Sequence, residues 1–399
     1  MIRFLKRLAG ALVLLTLAAV LFGPGYVQGD LNGTDRRAAR PPSEAARRLH
    51  AGLLVADLHA DALLWGTDLV KRQGRGHVDV PRLVDGNVAI QGFSVATQTP
   101  RGLNYDRNDD SSDNVTLLAL VQLWPPQTWR SLLARALYQA ERLRDVQRRS
   151  GGRLALVRTR DDLAAVLEQR GREPRPTAAF LAIEGAHSLD GDPGNVQALF
   201  DAGYRMMAPT HFFDNAFGGS AHGVRKGGLT AAGREMIRRM EALGMVLDLA
   251  HASPVTFADA IAMSTRPVVV SHTGVRATCA GVRNLTDDQI RAVAASGGVV
   301  GIGFWDSAVC GNDAAAIVRA IRHAASVAGV DHVGYGSDWD GAVTTPFDAS
   351  QVAELTDAML AAGFSEGDVR KIAGENVARV LRATLPAAAS GLDGGVKRP

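Results

Sequence analysis

Cysteine is scarce in this chain, since only Cys279 and Cys310 occur among its 399 residues. The two have neither the spacing of a metal site nor the signature of a catalytic nucleophile. The sequence alone leaves open whether they form one disulfide or remain separate thiols.

The body of the chain also lacks a block of lysine and arginine. The net charge is only +3, and acidic and basic residues are mixed along the chain. This distribution argues against nucleic acid as a partner. No Gly-x-Gly-x-x-Gly motif follows the first predicted strand, so dinucleotide binding has no support.

Apolar residues, in contrast, make up 46% of the chain, which is enough for a large core. Eight apolar runs predict strands, and helical segments lie between most of them. Parallel βαβ units follow from this alternation, and eight strands favour a closed (β/α)8 TIM-type barrel over an open doubly wound sheet. The runs are 53–58, 87–96, 178–183, 203–209, 245–249, 267–270, 298–304 and 332–336.

The N-terminus has the pattern of an export signal. Basic residues within 1–7 precede an uncharged apolar run over 8–22. We predict a signal peptide over 1–29, or an uncleaved anchor, because the run approaches the ~20 residues that span a bilayer. We therefore expect an exported protein, either periplasmic or anchored to the inner membrane and facing the periplasm. The other predicted parts are a linker over 30–48, the catalytic domain over 49–385 and a disordered tail over 386–399.

The ends of the predicted strands carry ionisable groups, and a barrel of this kind builds its active site from those ends. His59 and Asp61 lie two residues apart, so in extended backbone they face the same side and can bind one metal ion. Asp57 lies one step deeper, where it could orient a ligand. His251 and His272 end consecutive strands and can reach one ion together.

Glu184 supplies the carboxylate between these groups, although an ion pair with Arg205 is the alternative. Five ligands with a bridging carboxylate suit two metal ions about 3.5–4 Å apart. Two such ions would bind and acidify one water, giving a bridging hydroxide that attacks the substrate. Asp338 ends the eighth strand and could pass the proton to a leaving amine, while His211 could stabilise an oxyanion. Six other histidines are interpreted as surface or packing residues: His50, His77, His187, His222, His323 and His332.

Several motifs carry a resemblance to a known family. They include Asp57-Leu58-His59-Ala60-Asp61, Glu184-Gly185, Asp248-Leu249-Ala250-His251, Ser271-His272, Arg283-Asn284 and Gly336-Ser337-Asp338-Trp339-Asp340-Gly341. From about Leu54 to Leu381, the chain resembles the membrane dipeptidase (renal dipeptidase) family of zinc peptidases, in a bacterial branch.

The resemblance implies a (β/α)8 barrel with two zinc ions that hydrolyses dipeptides, including dipeptides with a D-residue at the C-terminal position. Its implied residue roles are His59 and Asp61 on one zinc ion, His251 and His272 on the other, Glu184 between them, His211 at the substrate oxyanion, Arg283 at the substrate carboxylate and Asp338 as proton shuttle. The segment 212–219 differs from the animal enzymes, which puts the side-chain specificity in doubt.

Two other functions stay open at the level of sequence. One is a metal-dependent hydrolase of another amide, such as an N-acyl amino acid or a cyclic amide, because Arg283 favours a substrate carboxylate without demanding a dipeptide. The other is a non-catalytic anchored binding protein on the same barrel. The expected partner is a small dipeptide, membrane contact would run through the N-terminal segment, and homodimer formation stays open.

Overall fold

The computed structural model describes residues 4, 6, 7, 20 and 22–387. The predicted N-terminal segment 1–29 and the predicted tail 386–399 lie largely outside these residues. Within the described part of the chain, no helix has the length and apolar character needed to cross a membrane.

All eight predicted strands are present, and they run parallel in one sheet. The strand order is β6-β5-β4-β2-β1-β9-β8-β7, and a ninth strand, β3, pairs with β4 off this path. The sequence analysis missed β3, which has only three residues. The bounds are Val55–Ala60 (β1), Val88–Phe93 (β2), Leu154–Leu156 (β3), Thr177–Ile183 (β4), Tyr204–Met207 (β5), Val246–Leu247 (β6), Val269–Thr273 (β7), Val299–Ile302 (β8) and Val333–Tyr335 (β9).

The sheet closes between β6 and β7. A parallel bridge joins Asp248 to Val269, and the Leu249 N–H donates to the Val269 carbonyl oxygen over 2.8 Å. The predicted (β/α)8 barrel is therefore confirmed. All eight strands of the ring are parallel, so their carboxyl ends meet at one rim.

Helices surround this barrel. Their bounds are Glu44–Ala51 (α1), Val80–Asp85 (α2), Asn114–Val121 (α3), Leu132–Arg149 (α4), Arg160–Gln169 (α5), Val196–Asp201 (α6), Ala231–Leu243 (α7), Pro254–Met263 (α8), Asp287–Ala295 (α9), Asp306–Val309 (α10), Ala314–Ala328 (α11), Ala353–Ala361 (α12), Glu366–Arg370 (α13) and Asn376–Thr384 (α14). The capping boxes explain two of these starts, since Thr286 caps α9 with Gln289 and Ser365 caps α13 with Asp368. The sequence predicts both N-caps, because acidic residues follow Thr286 and Ser365 precedes Asp368 by three residues.

The sequence predicts an amphipathic helical stretch over 114–150, with Leu117, Leu120 and Leu123 at helical spacing and a break at Pro125-Pro126. The structure has helices there, and they are interrupted at these prolines. The apolar face of this stretch differs from the expectation. Leu117 and Leu123 are 58% and 72% exposed, whereas α3 buries Val115 and Ala119. The leucine spacing was thus a poor guide to the buried face of this helix, because α3 is apolar on more than one side.

Residues 30–48, predicted as a linker, contact the barrel. Thr34 forms a parallel bridge with Thr345, and Arg36 forms an ion pair with Glu354. Ser43 caps α1 through its side chain. Cys279 and Cys310 form a disulfide, which the sequence had left open.

Candidate active site

The rim at the carboxyl ends of the strands gathers the predicted site residues. His59 lies within β1 and His272 within β7, while Glu184 follows β4 directly. The others stand in the loops after β1, β5, β6 and β9: Asp61, His211, His251 and Asp338. All seven are buried or nearly so.

Glu184 lies at the centre of this group. Its Oε1 atom is 3.0 Å from His59 Nε2, 3.3 Å from His272 Nε2 and 3.5 Å from His251 Nε2. Its Oε2 atom is 3.0 Å from His211 Nε2. One carboxylate therefore faces four imidazoles from four different strand ends.

The alternative partner for Glu184 was Arg205, and that interpretation is wrong. The Arg205 guanidinium donates to the main-chain oxygens of Arg158, Phe200 and Tyr204. It lies over the Phe200 ring, with 3.8 Å between Cζ and the ring centroid. Arg205 is thus a packing residue.

The imidazoles are spaced as ligands of a metal ion would be. His251 Nε2 and His272 Nε2 lie 3.1 Å apart. Two nitrogens at about 2.0–2.1 Å from one tetrahedral zinc ion would be about 3.3 Å apart. On the other side of Glu184, His59 Nε2 lies 3.5 Å from Asp61 Oδ2. This donor set of imidazoles and carboxylates suits zinc.

Unpartnered buried atoms point to the same chemistry. Among the described residues, His59 Nε2, Asp61 Oδ1 and Glu184 Oε1 have no hydrogen-bond partner although they are shielded from solvent. Three carboxylates are buried together here, because Asp338 Oδ1 also lies 3.9 Å from His59 Nε2. Buried carboxylates are costly unless a cation neutralises them, so the residues fit bound metal ions.

The protonation states of Glu184, His251 and His272 agree with ligation, whereas the charges of Glu184 and Asp61 outweigh burial and hold the pKa of His59 well above its ordinary value. Burial would raise the pKa of Glu184, but the charges of His211 and His59 outweigh it and hold that pKa well below its ordinary value. Burial, and then the positive charge of Arg283, lowers the pKa of His251 well below its ordinary value. Burial also lowers the pKa of His272. A carboxylate and neutral imidazoles are the forms that bind metals.

Asp338 combines a strained backbone with an unusual acidity. Its φ angle is +60°, and that of His251 is +63°, a left-handed conformation that is uncommon outside glycine. Burial raises the pKa of Asp338 well above its ordinary value, and the charges of Asp61 and Glu184 add to the effect. The neighbouring Asp340, for which the sequence predicts a structural role, accepts the main-chain N–H groups of His77 and Val78.

Arg283 is a buried guanidinium beside this centre. Its Nη2 atom donates to the His272 main-chain oxygen over 2.5 Å and lies 3.4 Å from His251 Nε2. Burial lowers its pKa. No carboxylate of the described residues forms a salt bridge with it, so the cation is available for an anionic ligand.

Asp57 was predicted to orient a metal ligand, but its carboxylate forms hydrogen bonds with other groups. Its carboxylate accepts the Ser337 N–H at 2.7 Å, the Ser337 hydroxyl at 2.9 Å and the Gln91 amide at 2.6 Å. These bonds join β1, β2 and the loop after β9. The carboxylate that reaches the imidazoles is instead Asp248, through Ser271.

An aromatic wall beside the imidazoles was also missed. His222 is fully buried, stacks on Phe212 with ring centroids 4.7 Å apart, and lies 5.2 Å from the His251 ring. Tyr105 meets it edge-on at 5.5 Å. The polar sequence of 98–113 predicts an exposed loop over the barrel mouth, but nothing in it indicates that Tyr105 would reach this wall.

Comparison with known proteins gives a consistent result. The family described as membrane dipeptidase, peptidase family M19, matches residues 43–391. Dipeptidase tcpJ of Claviceps purpurea is 30% identical over 328 residues, which cover 79% of this chain and 71% of that protein.

Two solved structures share the fold. One is a metallo peptidase from Rhodobacter sphaeroides liganded with a phosphinate mimic of the dipeptide L-Ala-D-Ala, with 26% identity and a TM-score of 0.70, covering 83% of this chain and 99% of that one. The other, described as dipeptidase AC, a metallo peptidase of the same family, has 26% identity and a TM-score of 0.71, covering 84% of this chain and 99% of that one.

Proposed function

Because this chain belongs to the membrane dipeptidase family, peptidase family M19, we propose that it hydrolyses dipeptides at two zinc ions held by the residues around Glu184. The family makes the chain a metal-dependent dipeptidase. The number of ions, the identity of the metal, the roles of single residues and the acceptance of L-D dipeptides are the parts that we propose.

The convergence of imidazoles on the Glu184 carboxylate carries the proposal. We assign His59 and Asp61 to one ion and His251 and His272 to the other, with Glu184 shared. The 3.0 Å and 3.3 Å separations of Glu184 Oε1 from His59 Nε2 and His272 Nε2 support a carboxylate shared by both sets. Two bound zinc ions would acidify a water molecule and polarise the scissile carbonyl group.

Arg283 binds the carboxylate of the substrate's C-terminal residue. A buried guanidinium without an acidic partner among the described residues supports this role, because its fork of N–H donors matches a carboxylate. Held there, the substrate would have its peptide bond next to Glu184. Arg283 thereby selects substrates with a free carboxyl terminus.

Asp338 and His211 act on the peptide bond itself. Asp338 carries the proton from the attacking water to the leaving amine, and its raised pKa suits a group that must hold a proton. His211 lies on the opposite side of Glu184 and donates to the oxygen that becomes negative. The mimic of L-Ala-D-Ala bound by the Rhodobacter sphaeroides relative supports L-D dipeptides as substrates.

Release of amino acids from a panel of L-L and L-D dipeptides tests the proposal, with the metal-free enzyme and Asp338→Asn as controls. Turnover should disappear on chelation, return with zinc and stay absent in the variant. Two bound zinc ions without turnover of any dipeptide would favour the other amides, such as N-acyl amino acids.

Export is the proposed location, periplasmic or anchored to the inner membrane. The basic and apolar N-terminal sequence supports it, and so does the disulfide, since disulfides persist in oxidising compartments. Fractionation of cells that express the full chain tests this. Homodimer formation stays a hypothesis that light scattering of the purified protein can decide.

A further inference from the structure

A single hydroxyl group contacts two of the imidazoles around Glu184. Ser271 Oγ lies 2.9 Å from His272 Nδ1 and 3.3 Å from His59 Nδ1. The two rings come from β7 and β1, and their centroids are 3.7 Å apart. Their other nitrogens, the Nε2 atoms, both point to Glu184 Oε1.

The partner of that hydroxyl decides where the hydrogens lie. Ser271 Oγ is 2.5 Å from Asp248 Oδ2, and a carboxylate oxygen accepts but does not donate. The one hydroxyl hydrogen therefore goes to Asp248. The lone pairs of Oγ can then only accept, so Nδ1 of both His59 and His272 must carry a hydrogen.

Asp248 is itself held in one orientation. Its Oδ1 atom accepts the main-chain N–H of Ser271 at 2.8 Å and that of Ala250 at 3.0 Å. Both donors are fixed by the backbone, because Asp248 lies at the bridge that closes the barrel between β6 and β7. Oδ2 is thus left for Ser271.

We propose that Ser271, oriented by Asp248, is a positioning residue that fixes His59 and His272 in the tautomer with a free Nε2 lone pair and so prepares both metal sites at once. This inference rests on the proposed two-zinc site. In that site, the two imidazoles bind different ions, and one hydroxyl would link the affinities of both.

The other two imidazoles lack such a device. Within the described residues, Nδ1 of His211 and Nδ1 of His251 have no hydrogen-bond partner. The buried carboxylate of Asp57, at a similar depth in the barrel, binds Ser337 and Gln91 instead of an imidazole. Among the four imidazoles around Glu184, Ser271 therefore orients only those of His59 and His272.

Asp248→Asn is the sharpest test because it keeps the shape of the side chain. The asparagine oxygen must stay on the two main-chain donors, so its NH2 group would face Ser271 and donate to it. The hydroxyl hydrogen would turn to Nδ1 of His59 or His272. That ring would then carry its hydrogen on Nε2 and could not bind a metal ion.

Zinc affinity of the metal-stripped full chain is the measurement, by competition with a chromophoric chelator. We expect Ser271→Ala to weaken zinc binding about 10- to 100-fold at both sites, the usual effect of removing an outer partner of a ligand, and Asp248→Asn to weaken it by a similar factor at the site whose imidazole receives the hydroxyl hydrogen. Ser188→Ala is a matched control, since Ser188 is buried and its Oγ has no partner among the described residues. Asp57→Asn is the control for a buried carboxylate, because Gln91 can turn its unpartnered Oε1 towards the new amide.

The outcomes separate the inference from the proposed function. Wild-type zinc affinity in both test variants, or a loss no larger than in the controls, would overturn the role of Ser271. Weakening of one site alone in Ser271→Ala would overturn the linkage between the two. A wild-type chain that binds no zinc would contradict the proposed function, and the inference would fall with it.

Discussion

The Nδ1 atom of His222 lies 2.8 Å from the main-chain oxygen of Tyr105. Tyr105 belongs to the loop 98–113, and its hydroxyl accepts the Trp305 indole N–H at 3.1 Å. Asn108 fastens the same loop, because its main-chain N–H and its side-chain amide both donate to the His222 main-chain oxygen. The loop 98–113 therefore covers one side of the site around Glu184.

Loosening this loop should weaken substrate binding more than catalysis. Asn108→Ala removes three side-chain hydrogen bonds, two with Asn104 and one with His222, and buried unpaired groups cost about 1–3 kcal/mol. We expect KM to rise roughly 5- to 100-fold with a smaller change in kcat. Hydrogen exchange over 101–110 should become faster. The exposed Asp109→Ala on the same loop should leave both quantities unchanged, and an equal effect there would contradict the role of Asn108.

The disulfide stabilises the loop that carries Arg283. The Asn284 amide donates to the main-chain oxygen of Cys279, so the bridge to Cys310 lies next to the arginine proposed to bind the substrate. The two cysteines are 31 residues apart, and closing such a loop contributes about 3–4 kcal/mol. The double variant Cys279→Ser and Cys310→Ser should show that loss in urea denaturation, together with a higher KM. An unchanged midpoint would show that the bridge is not formed in the purified protein.

Arg283→Lys tests recognition of the substrate carboxylate. A lysine keeps the charge but loses the fork of donors, and a charge-assisted hydrogen bond contributes about 1.5–3 kcal/mol. We expect a roughly 10- to 100-fold increase in KM for dipeptides. With a substrate whose carboxylate is blocked as an amide, the difference between variant and wild type should vanish. Arg276→Lys, an exposed arginine nearby, is the matched control.

Much of this fold could be predicted because the strands of the ring lie in buried apolar runs, and several of these runs lead into an ionisable residue at the carboxyl end. Glu184 directly after β4 is the plainest example, since a lone carboxylate there needs a reason. What failed depended on tertiary contacts. The exposed face of α3 was misjudged, because Leu117 and Val115 look equally apolar in sequence and only the packing separates them.

The sequence also failed to show which side chains contact the imidazoles around Glu184. Asp57 precedes His59 by two residues and Asp248 precedes His251 by three, and the sequence favoured Asp57 as the orienting group. The structure links Asp248 to the imidazoles through Ser271, a contact across two strands that local spacing cannot reveal. His222 was interpreted as a surface or packing residue for the same reason.

Removal of the metal should destabilise the protein. Asp61, Glu184 and Asp338 are buried within one small space, and without cations their charges repel each other. A ligand present at 100 times its Kd contributes about 2.7 kcal/mol to folding. We expect Tm to fall by a few degrees on chelation and to recover with zinc. A Tm that is the same with and without chelator would contradict a folded-state metal site.

His187 should make the metal-free protein sensitive to acid. Burial, and then the charge of His211, lowers the pKa of His187 from 6.5 to about 3, and neither ring nitrogen has a hydrogen-bond partner among the described residues. As the pH falls, the unfolded chain binds the proton near pH 6.5, whereas the folded chain binds it only near pH 3. The contribution of His187 to the free energy of unfolding is therefore fully present above pH 6.5 and is lost as the pH falls towards 3. The slope is about 1.4 kcal/mol per pH unit for one proton.

Replacing that imidazole by a benzene ring removes the titration while keeping the contact with Phe213, whose ring centroid is 4.8 Å away. We therefore expect His187→Phe to gain stability relative to wild type as pH falls from 6.5 to 4.5, in urea denaturation with chelator present. Near pH 8 the pH-dependent part of the difference should be absent. His323→Phe is the control, because His323 is only partly buried and pairs with Asp287. Parallel stability curves for wild type and His187→Phe would contradict the buried neutral imidazole, since both chains would then take up the same number of protons on unfolding.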